Sequence, residues 1–168
     1  MLLCSERGGE ILPRELWPQI IPLLQTREAF LLASASRSMN LLIRGSLTHF
    51  DLGLASCTGI THILKQCTSL TSLSLEENSE VNDYHLVGLT RITQLNLFDC
   101  RNINHPRTFC RLSESLTHLY LEKCAPSIRD ETLSCLTNLT TLYLFRNPEF
   151  TDAAILHLTK LERLTLSY

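Results

Sequence analysis

Two periods are nested in the distribution of apolar residues. The motif apolar-x-x-apolar-x-apolar begins at Leu47, Leu70, Ile92, Leu116, Leu139 and Leu161, at intervals of 23, 22, 24, 23 and 22 residues. Inside each motif the apolar positions alternate. In LTSLSL, Leu73 and Leu75 alternate with Ser72, Ser74 and Glu76, the two-residue period of a strand with one buried face. A second signal stands before the next motif. An apolar residue lies eleven positions ahead of it (Val81, Ile128, Phe150) and an Asp nine ahead (Asp83, Asp130, Asp152). Each Asp is followed by Leu86, Leu133 or Ile155 and then by Leu89, Leu136 or Leu158. That order predicts a short helical turn with the Asp as its N-cap and an apolar face turned inward. The third unit departs, with Arg107 at the Asp position after His105-Pro106, and an irregular loop is predicted there.

Each unit is thus a strand and a short helix, and none can bury its apolar face alone, so the units must stack. The pattern and its spacing, within the range of roughly 20 to 29 residues, resemble the leucine-rich repeat. The resemblance implies an α/β solenoid with parallel strands on a concave side and short helical turns on a convex side. The ninth position of the units holds Asn78, Cys100, Cys124 or Asn147, and Ala55 in the first unit. The small polar side chains are placed to satisfy backbone groups where the chain leaves the sheet. The sixth motif is followed at once by the end of the sequence at Tyr168. This leaves an uncovered edge strand and reads as an array cut short of its natural end.

The repeats fill residues 45–168, behind a flexible start (1–11) and a helical module (12–44). In that module Leu16, Ile20 and Leu24 recur every four residues, Thr26 with Glu28 marks a helix start, and Leu32, Ala35, Met39 and Leu42 continue a helical spacing. Leu12, Pro13, Glu15, Leu16, Ile20, Leu24, Leu32 and Leu42 also fall, without a gap, on the pattern of an F-box. Met39 stands where that family usually has Trp, Ala35 where it often has Val, and Pro22 falls inside the first helix. With the repeats behind it, the chain resembles the F-box and leucine-rich-repeat family of substrate receptors. The resemblance implies a subunit of an SCF-type ubiquitin ligase. Leu12, Pro13, Leu16, Ile20 and Leu24 would dock a Skp-type adaptor within a cullin complex, and the repeats would select the target protein. A plain helical cap on the solenoid is the alternative reading of residues 12–44, with the arc serving as an inhibitor or scaffold.

Composition narrows the classes. A net charge of −2 and a pI near 6.3 argue against nucleic acid, which favours a basic face. No run approaches the roughly 18 apolar residues of a membrane span, and Met1–Cys4 is too short for the core of a signal peptide. A cytoplasmic or nuclear protein is expected. The seven cysteines include no CxxC pair, and their odd number fits reduced thiols. Cys67 and Cys110 are expected at inward sites that sister units fill with Leu. No metal site, cofactor, nucleophile or acid–base pair emerges, and His49 and His118 lie three strands apart. The protein is expected not to be an enzyme.

Binding chemistry concentrates on the outward strand positions. The fifth positions run Asp51, Ser74, Asn96, Tyr120, Tyr143, Thr165, and the seventh run Gly53, Glu76, Phe98, Glu122, Phe145, Ser167. Phe98, Tyr120, Tyr143 and Phe145 should share one patch, because neighbouring strands lie only about 4.8 Å apart. Grouped exposed aromatics are what an interface hot spot requires; cross-strand packing that only stabilises the sheet is the alternative. Asp51, Glu76, Glu77, Asp99 and Glu122 crowd the earlier repeats and Lys123, Arg146 and Arg163 the later ones, a gradient that could orient a charged partner through Glu76 and Glu122.

Overall fold

A computed structural model describes residues 16–21, 28–29, 37–53, 60–123, 128–147 and 150–167. Six parallel strands pair in chain order: β1 (His49–Asp51), β2 (Ser72–Ser74), β3 (Gln94–Asn96), β4 (His118–Tyr120), β5 (Thr141–Phe145) and β6 (Arg163–Ser167). Parallel neighbours need a crossover. Those described carry the helices Ile60–Gln66, Asp83–Leu86, Pro106–Cys110 and Asp130–Ser134 and the 3-10 turn Asp152–Ala154. Register follows the repeat: His49, Ser72, Gln94, His118, Thr141 and Arg163 are successive Cα partners.

The core runs between sheet and helices. Phe50, Leu73, Leu95, Leu119 and Leu142 stack in one buried row, Leu75, Leu97, Leu121 and Leu144 in the next, and Leu86, Phe109, Leu133 and Ala154 close over them. Each large side chain so buried contributes about 1.5–3 kcal/mol. Two polar ladders register the stack. The position-two threonines bond in series: the hydroxyls of Thr71, Thr93, Thr117 and Thr140 donate to the carbonyls of Thr48, Thr71, Thr93 and Thr117 at 3.0–3.3 Å. At position nine, Asn78 donates to the Gly53 carbonyl (2.7 Å), Cys100 to that of Leu75 (2.9 Å) and Asn147 to that of Leu121. The expected satisfaction of backbone groups is present at these three residues; Cys124 and Ala55 lie outside the described residues.

Three local expectations need correction. The helical turns are capped one residue earlier than the Asp: Asn82 accepts from the Tyr84 N–H and Thr151 from the Ala153 N–H, while Asp83, Asp130 and Asp152 are the first residues inside. In the third unit a regular helix replaces the predicted loop. His105 is its N-cap, accepting from the Arg107 N–H, and Pro106 takes the first helical position, where its missing N–H costs nothing. Cys110 is exposed, because the helix that opens at Pro106 turns Phe109 inward instead. Its sulfur is joined to Cys135 in a disulfide that links the helices of adjacent repeats, with Cα atoms 5.4 Å apart. The expectation of reduced thiols therefore fails for this pair. Cys67 is buried, and that burial pushes its thiol pKa up against the opposing charge of Arg44.

Helices Trp17–Ile20 and Arg37–Ser46 pack together ahead of the sheet. Ile21, Ala29 and Ile43 are buried, Ile20 and Leu42 pack partly against the core, and Ser69 donates to the Gly45 carbonyl, tying the second helix to the end of the first repeat. Leu16 and Leu41 are exposed, Leu41 by 67 %. Leu12, Pro13, Leu24 and Pro22 lie outside the described residues.

Candidate functional site

The open face of the sheet is formed by side chains at repeat positions three, five and seven. Strand alternation turns them away from the leucine rows, and the parallel register lines them up across strands. Asn96, Tyr120, Tyr143 and Thr165 are consecutive partners. The rings of Tyr120 and Tyr143 stack at 4.6 Å between centroids and 16° between planes. Such a pair is worth about 0.5–1.5 kcal/mol beyond its burial and holds both rings upright on the sheet.

Beside this stack the chain leaves each strand through a left-handed residue. Glu77, Asp99, Lys123 and Arg146 have φ of 57°, 52°, 50° and 53°, a conformation that costs a non-glycine residue about 1–2 kcal/mol. The backbone N–H groups of Glu77, Asp99 and Lys123 donate to Phe98, Glu122 and Phe145 in the next repeat, which offsets part of that cost. The turn also fixes where the side chains go. Lys123 places its ammonium 4.9 Å from the centre of the Phe98 ring, and Arg146 its guanidinium 5.1 Å from that of Phe145. The Asp99 carboxylate pairs with Arg101 at 2.6 Å.

All six residues singled out for target binding come together. Glu76, Phe98, Tyr120, Glu122, Tyr143 and Phe145, with Asn96, Leu121 and Thr165, line one shallow depression of about 240 Å³. The Asn96 amide is pinned, donating to Glu76 at 3.3 Å and accepting from the Phe98 N–H at 3.0 Å. Glu76 is exposed and Glu122 half-buried. The cations over the two phenylalanines were missed in sequence, because their placement depends on the left-handed turn.

Among the residues expected to hold an adaptor, Leu16 is exposed and Ile20 packs partly into the core; the others lie outside the described residues. Among the described residues no three His, Cys, Asp or Glu side chains gather as a metal would require, and no helix is long and apolar enough to cross a membrane.

No protein-family description and no curated protein matches the sequence. Solved structures do match in fold. Internalin C2 of Listeria monocytogenes is 25% identical with a TM-score of 0.56, covering 79% of this chain and 56% of its own. TLR13, solved in a complex with the single-stranded RNA ssRNA13, is 29% identical with a TM-score of 0.58, covering 75% and 20%. Internalin F of the same bacterium is 22% identical with a TM-score of 0.57, covering 78% and 38%. These are leucine-rich-repeat proteins, and the chain carries that fold: an α/β solenoid of parallel strands and short helices. It spans about half or less of the length of the structures it matches.

Proposed function

We propose that this leucine-rich-repeat arc is a non-catalytic recognition subunit that grips a protein partner through the depression at Phe98, Tyr120, Tyr143 and Phe145. The observation that carries the reading is the convergence of four aromatic rings and two carboxylates on a pre-ordered sheet face. Rigid aromatics give contact area at little entropic cost, and the stack and the pinned amide limit what must be ordered on binding. A photo-crosslinking residue placed at Phe145 in cells should yield discrete protein adducts that the same residue at exposed Tyr84, on the helical side, does not give. Equal adducts from both sites would refute the assignment of the face.

In its finer form the proposal makes residues 12–44 the adaptor-docking element of an SCF-type ubiquitin ligase receptor, acting in the cytoplasm or nucleus. It is supported by the Leu12-Pro13-x-Glu15-Leu16 run and by the outward placement of Leu16 and Leu41. The intact protein should then retain a purified Skp-type adaptor, and Leu16→Asp should release it. One observation favours a second reading. The Cys110–Cys135 disulfide is a bond that oxidising compartments maintain. There the protein is a plain interaction module whose helices only cap the solenoid. Alkylation of the two cysteines in freshly lysed cells separates the readings: free thiols accord with the ligase, a protected pair with the module.

A further inference from the structure

Among the described residues the side chains lining the depression include two carboxylates, Glu76 and Glu122, and no Lys or Arg, although Lys123 and Arg146 stand over two of its rings. We infer that the residue a partner anchors there is an arginine. The inference rests on the partner-binding reading above and names the chemistry of the contact.

Three observations converge on a guanidinium. The rings of this face already attract cations where the fold brings one within reach, as Lys123 over Phe98 and Arg146 over Phe145 demonstrate. Among the described residues no such cation lies over Tyr120 or Tyr143, which present a stacked, nearly parallel pair. Along the strand ends Glu76, Phe98, Glu122 and Phe145 succeed one another, so the two carboxylates stand two strands apart, about 10 Å, on either side of Phe98. Asn96 lies in register between Ser74 and Tyr120, both on neighbouring strands, and its amide holds the carboxylate of Glu76, two residues beyond Ser74, toward it. A planar cation entering over Asn96 meets a tyrosine face and a carboxylate together.

Arginine meets both demands where lysine does not. Its guanidinium stacks flat on an aromatic ring, forks onto a carboxylate through paired N–H donors, and sheds water more readily than an ammonium. The acidic crowding of the earlier repeats, including Asp51 and Glu77, draws a basic segment toward the same end of the face. An acidic or phosphorylated segment is disfavoured by those carboxylates.

The test uses the intact chain and a displayed library of random peptides about twelve residues long. Selected peptides should share an arginine, and replacing it with citrulline, which keeps the shape without the charge, should weaken binding about tenfold or more. The double variant Glu76→Gln, Glu122→Gln should bind such peptides comparably weakly and lose its preference for arginine over citrulline, with an unchanged melting temperature. Peptides anchored by an aliphatic or aromatic residue, sensitive to Tyr143→Ala but not to the double variant, would overturn the arginine assignment and leave the partner-binding face standing. Selected peptides indifferent to Tyr143→Ala, or no selection above an unrelated control protein, would overturn both.

Discussion

The Asp130 carboxylate reaches out of its own repeat and accepts hydrogen bonds from the backbone N–H of Thr151, at 2.9 Å, and from its hydroxyl. Asp83 makes the equivalent contact two junctions earlier, accepting from the N–H groups of Asn104 and His105 at 3.1 Å each. Asp83 and Asp130 therefore couple neighbouring units as well as opening their own helices. In a solenoid, stability is a sum of units and their junctions, so a junction bond acts on the whole stack. Asp130→Ala should destabilise the fold by about 1.5–2 kcal/mol, at the low end of the range for hydrogen bonds to a charged group, read as a lower urea midpoint. Asp130→Asn should restore part of the loss.

Asn78 is 3% exposed and serves two repeats at once, donating to Gly53 and accepting from the Glu80 N–H at 3.1 Å. Asn78→Ala leaves both backbone groups without this partner in a partly buried setting. A loss of about 2–4 kcal/mol is expected at this position, measured by thermal or urea unfolding and larger than that of Asp130→Ala.

The left-handed turn at Glu77 separates two substitutions of similar polarity change. Glycine adopts φ near 57° freely, whereas a β-branched side chain there is a severe misfit. Glu77→Gly should leave stability unchanged or raise it by up to about 1 kcal/mol, and Glu77→Val should lower it by about 1–2 kcal/mol, compared by melting temperature.

Cysteine chemistry gives a fourth prediction. The Cys110–Cys135 disulfide closes a loop across a sequence separation of 25, for which removal should cost about 3 kcal/mol. Cys110→Ser with Cys135→Ser should lower the melting temperature accordingly. In the native protein Cys67 should react slowly with an alkylating reagent at neutral pH, since burial raises its thiol pKa, and rapidly once urea unfolds the chain. Mass mapping of the alkylated sites reads both effects.

The repeat pattern carried the strands and their register, because the leucine spacing leaves only one alignment in which Leu73, Leu95, Leu119 and Leu142 all face inward. The six target-binding candidates followed from the same alternation, and the structure gathers them in one depression. What the sequence did not yield depends on geometry finer than the period. Counting back from the next strand located the helical turns but assigned the cap to the Asp, one residue late. The same count placed Arg107 where a helix should open and concealed that His105 can cap and Pro106 can begin it. It also put Cys110 inward, whereas the helix that opens at Pro106 turns Phe109 to the core. The threonine ladder was legible and overlooked: Thr48, Thr71, Thr93, Thr117 and Thr140 occupy one position in five of the units.

The central claim is that the depression around the tyrosine stack holds the partner. It is tested most directly by the affinity of the protein crosslinked through Phe145 for the intact chain and for Tyr143→Ala, with Tyr84→Ala as the reference. Loss of a buried aromatic anchor should weaken binding about tenfold to a hundredfold at Tyr143 and leave it within about twofold at Tyr84. Equal affinities for Tyr143→Ala and the intact chain, with the fold unchanged, would contradict the account.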